Sequence, residues 1–138
     1  MELKRSANEK WGTDCGTFNR IFGLKNFDQI RLIAQEYEYI TGQPLEKDIK
    51  KEFAGDILDA LLSILRYSTD SSEYFARCFH KAVVGKLDKA LIRLIVMRAE
   101  VDIEDIKAAY KKKYNELLKN DIKRKTSGYY QKALLKSI

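Results

Sequence analysis

Leu45-Glu46-Lys47-Asp48-Ile49-Lys50-Lys51-Glu52-Phe53-Ala54-Gly55-Asp56 returns 73 residues later as Leu118-Lys119-Asn120-Asp121-Ile122-Lys123-Arg124-Lys125-Thr126-Ser127-Gly128-Tyr129. Outward from that stretch, the sequence matches itself in the same register, without a gap, from Gly12 to the C-terminus. Identical pairs include Gly12/Gly85, Arg20/Arg93, Ile30/Ile103, Ile33/Ile106, Tyr37/Tyr110, Ala60/Ala133, Leu61/Leu134 and Leu62/Leu135. Chance does not align so many pairs in one register. The chain is a tandem duplication.

Within each copy the apolar residues recur at helical spacing. Phe18, Ile21 and Phe22 mark one helix, and Ile30, Ile33, Tyr37 and Ile40 a second. Leu45 and Ile49 mark a short third helix, and Ile57, Leu58, Leu61, Leu62 and Leu65 a fourth. Tyr74, Phe75, Cys78, Phe79 and Ala82 mark a fifth, which leads into the second copy. The first four then recur at Leu87–Met97, Ile103–Tyr114, Leu117–Ile122 and Tyr130–Leu135. Asn26 with Gln29, and Asp70 with Glu73, have the spacing of capping boxes. No strand alternation appears, and the single proline, Pro44, leaves helices unbroken. The reading is an all-α fold of two repeats, 1–68 and 69–138, of about five helices each in right-handed, solenoid-like packing.

At 45% hydrophobic the chain is too apolar for disorder, yet no apolar run approaches the roughly 20 residues that span a bilayer. No signal peptide opens it, and Cys15 and Cys78 form neither a disulfide framework nor a metal-ligand spacing. Both thiols are expected to be inert, in a soluble protein of the reducing cytoplasm. Residues 1–69 carry 10 Lys/Arg against 11 Asp/Glu, and residues 70–138 carry 16 against 9. The basic half suits an anionic surface, lipid or nucleic acid, and charge alone does not choose between them. A single histidine, His80, excludes most His-based metal and triad chemistry, and no phosphate-cradling glycine motif is present. The chain is expected to bind rather than catalyse.

These features resemble the annexin family, over essentially the whole chain. The resemblance is carried by Lys10-Trp11-Gly12-Thr13-Asp14 followed about 40 residues on by Glu52-Phe53-Ala54-Gly55-Asp56. In the second copy it is carried by Ala90-Leu91-Ile92-Arg93-Leu94-Ile95-Val96, Arg98-Ala99-Glu100-Val101-Asp102, Lys125-Thr126-Ser127-Gly128 and Lys132-Ala133-Leu134-Leu135. The Trp-Gly-Thr form resembles the third repeat of a four-repeat annexin, and the end resembles the fourth. The resemblance implies calcium-dependent attachment to anionic phospholipid as a peripheral membrane protein. It implies a Ca²⁺ site in the first copy from the carbonyls of Asn8, Lys10 and Gly12, closed by the bidentate carboxylate of Glu52. With one protein charge against two, affinity in water should be weak, on the order of 10⁻⁴ to 10⁻³ M. A lipid phosphate would complete the neutralisation, so ion and membrane would strengthen each other.

The second copy departs from the family pattern. Lys125 stands where the carboxylate belongs, Val83 replaces the first loop glycine, and Lys86 replaces a threonine. Its calcium site is expected to be lost, with Lys125 free to meet a lipid phosphate directly. Trp11 reads either as a core aromatic or as a loop tip at the bilayer interface, beside Lys10 and Thr13; its loop neighbours favour the tip. Glu52 alone would read as a solvated helix end, and the Trp-Gly-Thr loop favours a ligand role. Lys111-Lys112-Lys113 and Lys123-Arg124-Lys125 read first as solvated helix surface. Arg20 and Arg93 are expected to anchor hydrogen-bond networks with Asp48 and Asp121 as partners, and His80 is expected to be a packing or surface residue rather than a ligand.

The rival function is a calcium-independent module that binds a protein, acidic lipid or nucleic acid through the basic second repeat, nucleic acid being the least favoured. By resemblance, the third and fourth repeats each pack on a repeat missing here. A homodimer or further repeats would then cover apolar faces, and Met1-Glu2-Leu3-Lys4, like the tail of a preceding helix, suggests a truncated chain.

Overall fold

The computed structural model describes residue 23 and residues 25–138, which hold eight helices and no strand. The chain divides into two compact units, Met1–Asp70 and Ser71–Ile138.

In the first unit the described helices are α1 (Phe27–Thr41), α2 (Leu45–Glu52) and α3 (Gly55–Thr69). The Asn26–Gln29 capping box is present: Asn26 Oδ1 accepts from the Gln29 N–H at 2.8 Å, and Gln29 Oε1 accepts from the Asn26 N–H at 3.1 Å. Such a cap stabilises a helix start by about 1 kcal/mol. At the far end Gly42, at φ +74°, lets its N–H reach the Glu38 carbonyl and stop the helix. The apolar faces converge on Ile30, Tyr37, Leu45, Ile49, Leu61, Leu62 and Leu65.

The second unit runs α4 (Ser71–Val84), α5 (Asp88–Arg98), α6 (Ile103–Tyr114), α7 (Leu118–Lys125) and α8 (Gly128–Lys136). Its core holds Phe79, Leu91, Ile95, Ile106, Tyr110, Leu118, Ile122 and Leu134. Ala76, Ala82 and Val83 are buried there too, so α4, the fifth helix in the count from the first copy, packs inside the second unit. Asn115, the counterpart of Gly42, ends α6 at φ +55° with the same backbone bond, its N–H to the Lys111 carbonyl at 2.9 Å. Asparagine is the side chain best suited to that left-handed turn after glycine.

The duplicated identities are largely the core. Ile30/Ile103, Tyr37/Tyr110, Leu45/Leu118, Ile49/Ile122 and Leu61/Leu134 are buried in both units. Close packing lets such positions change only at a cost of about 2–5 kcal/mol for truncation to alanine, whereas exposed residues change freely. That difference explains how one backbone carries two surfaces.

Candidate membrane-binding turns

The α2–α3 and α7–α8 turns have one backbone and opposite chemistry. α2 ends at Glu52; Phe53 is extended (φ −122°, ψ 156°) with its N–H bonded to the Ile49 carbonyl, and Gly55 opens α3 at φ +63°. α7 ends at Lys125; Thr126 is extended (φ −131°, ψ 167°) with its N–H bonded to the Ile122 carbonyl, and Gly128 opens α8 at φ +66°. Glu52 and Lys125 occupy the same exposed place on the two traces. A helix C-terminus carries partial negative charge. Glu52 adds to that charge and makes the end attractive to a cation; Lys125, after Lys123 and Arg124, offsets it.

Two contacts fix the helix that carries Glu52. Tyr37, fully buried on α1, donates its hydroxyl to Asp48 Oδ2 at 2.5 Å. Arg66 of α3 donates to Glu46 Oε1 at 2.6 Å, and Lys50 reaches the same oxygen at 3.2 Å. Burial pushes Glu46 up, but Arg66 and Lys50 outweigh it and hold its carboxyl below the ordinary range. α2 is therefore tied to a helix on either side.

In the second unit, Tyr110 donates to Asp121 Oδ2 at 2.5 Å, repeating the Tyr37–Asp48 bond. Burial first, then the neighbouring carboxylate, pushes both phenols well above the usual tyrosine value. Arg124 also meets Asp121, at 2.7 Å. Gln131 braces the turn: its amide donates to the carbonyls of Lys123 at 3.0 Å and Thr126 at 2.8 Å. Leu58 stands in the Gln131 place of the first unit and has no amide to donate. The expected Arg93–Asp121 network does not form, because Tyr110 and Arg124 hold Asp121 while Arg93 is exposed. The signal was in the sequence: Tyr and Asp recur eleven residues apart in both copies.

The loop entering α5 is a helix cap. The Leu87 N–H donates to the Ala82 carbonyl at 2.8 Å, the Lys86 N–H to Val83 at 3.2 Å and the Gly85 N–H to Lys81 at 3.0 Å. This is the Schellman pattern, with Lys86 in the left-handed position at φ +51°. The strained residue is thus Lys86; Val83, which stands in place of the first loop glycine, lies buried in α4. The carbonyls of Lys81 and Val83, counterparts of those at positions 8 and 10, already accept backbone hydrogen bonds.

Asn8, Lys10, Trp11, Gly12 and Thr13, with Cys15 and Arg20, lie outside the described residues. Among the described residues no three His, Cys, Asp or Glu side chains cluster as a metal cage, and no helix is long and apolar enough to cross a membrane. His80 packs, as expected, stacked on Tyr114 with ring centroids 3.9 Å apart. Burial pushes the half-buried Cys78 thiol up, away from the reactive thiolate.

The Annexin family signature matches residues 2–64 and 74–136. Annexin A6 of Gallus gallus is 38% identical over 137 residues, 98% of this chain and 20% of that protein. Annexin A13 of Homo sapiens is 34% identical over 136 residues, 97% of this chain and 43% of that protein. Among solved structures, a mutant of annexin A8 with an intact N-terminus superposes with a TM-score of 0.90 at 33% identity, covering 98% of this chain and 43% of its own. Calcium-bound annexin (Sm)1 superposes with a TM-score of 0.83 at 30% identity, covering 99% of this chain and 39% of its own. The chain thus spans less than half the length of these relatives. Duplicated helices, paired turns and near-complete coverage in sequence and structure agree: this chain belongs to the annexin family.

Proposed function

We propose that the chain attaches to anionic phospholipid membranes in a calcium-dependent way, with the calcium held by the first repeat only. The observation that carries this reading is the exposed Glu52 carboxylate at the negative end of a clamped helix, against Lys125 at the same point of the duplicate turn. Calcium is a hard cation that takes oxygen ligands, and a carboxylate with open positions around it suits such an ion. Glu52 is the protein's charged ligand, and the carbonyls of Asn8, Lys10 and Gly12 complete the protein share. Bound calcium would supply the charge that joins this turn to a lipid phosphate. Trp11, between Lys10 and Gly12 and close to Thr13 in sequence, would enter the interface. The second repeat has lost its site, since an ammonium replaces the carboxylate and the loop carbonyls are engaged in a helix cap. Support also comes from the family, whose members in general bind phospholipid with calcium, and from the calcium-bound relative.

The test is Trp11 fluorescence on phosphatidylserine vesicles. A calcium-induced blue shift, reversed by chelator and absent in Glu52→Gln, is expected; an unchanged shift in Glu52→Gln removes the reading. The same reading gives a partner to the apolar surface of α5, where Val96 is 75% exposed beside Ile92 and Met97: a second copy of the chain or further repeats. Sedimentation of this chain as a monomer at high concentration would leave only the further repeats.

A further inference from the structure

The loop end of the second unit gathers features that the calcium reading does not use. Tyr130 Oη donates to Asp88 Oδ1 at 3.1 Å, which brings the start of α5 against the start of α8. The α4–α5 loop and the α7–α8 turn, 42 residues apart in sequence at that bond, are therefore neighbours. Between them they expose three large apolar side chains: Val84, Leu87 and, at 89% exposure, Tyr129. Lysines surround these. Lys86 is exposed at the left-handed position of the cap, Lys125 ends α7, and Lys132 Nζ lies 5.5 Å from the Tyr129 ring centroid. The unit as a whole holds 16 Lys/Arg against 8 Asp/Glu in residues 71–138.

We infer that this end is a second, calcium-independent docking surface for an anionic bilayer: Leu87, Val84 and Tyr129 enter the interface while Lys86, Lys125 and Lys132 meet lipid phosphates. The occupant follows from the chemistry. Lysines facing an anionic surface contribute on the order of fivefold in affinity each, by charge complementarity. A nucleic acid offers phosphates too, but gives exposed Val84 and Leu87 nothing apolar to enter. A tyrosine whose ring is wet and whose flank is cationic suits the headgroup layer. The turn is also pre-formed, since the Gln131 amide and the Schellman bonds hold both loops before any ligand arrives. A rigid surface loses little entropy on docking. This surface works independently of the Glu52 site.

The test uses the whole chain carrying Glu52→Gln, in excess chelator, co-sedimented with vesicles of phosphatidylserine and phosphatidylcholine. Binding to the mixed vesicles, absent on pure phosphatidylcholine and weakened by salt, is expected. The triple reversal K86E/K125E/K132E should weaken it on the order of a hundredfold. Leu87→Ser with Tyr129→Ser should weaken it about tenfold, because the apolar contact is lost while the charge remains. All five residues are exposed, so the fold stands in each variant. Failure to sediment in chelator overturns the inference, and so does indifference to either set of substitutions. Tighter binding to a poly(U) oligonucleotide, unaffected by the serine pair, would assign the surface to nucleic acid instead. Because Glu52→Gln is the background throughout, none of these results bears on the calcium site.

Discussion

The α2–α3 turn and the α7–α8 turn follow the same path, cap for cap, and end on opposite charges. In both, an extended residue follows an eight-residue helix and a left-handed glycine opens the next. In both, a buried tyrosine holds the short helix by its aspartate. What differs is the rim: Glu52 against Lys125, and Leu58 against Gln131. Packing constrains a backbone far more strictly than it constrains the side chains that face water. A duplicated scaffold can therefore carry two rims on one backbone, one acidic and one basic.

The twins should part most visibly at position 52. Glu52→Lys gives the first turn the rim of the second and should raise the calcium needed for the half-maximal calcium-induced gain in vesicle binding on the order of a hundredfold or abolish that gain, since it replaces the proposed charged ligand by a repelling ammonium. Vesicle sedimentation across a calcium titration measures it. The reverse exchange should do far less. Lys125→Glu alone should create no second calcium site detectable by calorimetry, because the Lys81 and Val83 carbonyls are engaged and Gln131 braces the turn. A second binding event would show that charge alone separates the twins.

The two tyrosine clamps give the next effect. Tyr37→Phe leaves the half-buried Asp48 without its hydroxyl donor and should cost about 1–3 kcal/mol in chemical unfolding. Tyr110→Phe should cost less, because Arg124 still meets Asp121 at 2.7 Å. The pH dependence has a definite sign. Both phenols are raised above the ordinary tyrosine value of about 10, so their stabilisation is whole below that pH and is lost as pH climbs beyond it. Wild-type stability should fall in alkali more steeply than that of the double phenylalanine variant. The smallest effect is the most symmetrical. Gly55→Ala and Gly128→Ala each place a Cβ in open space at positive φ, so each should cost about 1–2 kcal/mol, and the two should agree within error.

Much of this was legible in the sequence. The 73-residue register and the helical spacing yield the all-α duplication, and the Asn26–Gln29 box forms as its spacing says. Core periodicity is written in residue type, and buried positions obey it. Three things were not legible. The Tyr–Asp spacing recurs in both copies, but only the fold decides that Asp121 takes Tyr110 rather than Arg93, because a hydroxyl on the neighbouring helix reaches the carboxylate that an exposed guanidinium does not. Lys86, not position 83, carries the left-handed strain, because the helix runs further than the loop motif suggests. The gathering of Val84, Leu87 and Tyr129 needed the Asp88–Tyr130 contact, which no local pattern announces.

On this reading, calcium binds at only one of two turns of one shape. Crystals of this chain soaked in abundant calcium test that most directly. An ion is expected beside Glu52, with oxygen ligands at about 2.3–2.6 Å, and none beside Lys125. An empty pocket at Glu52, or an ion at the Lys125 turn, would contradict it.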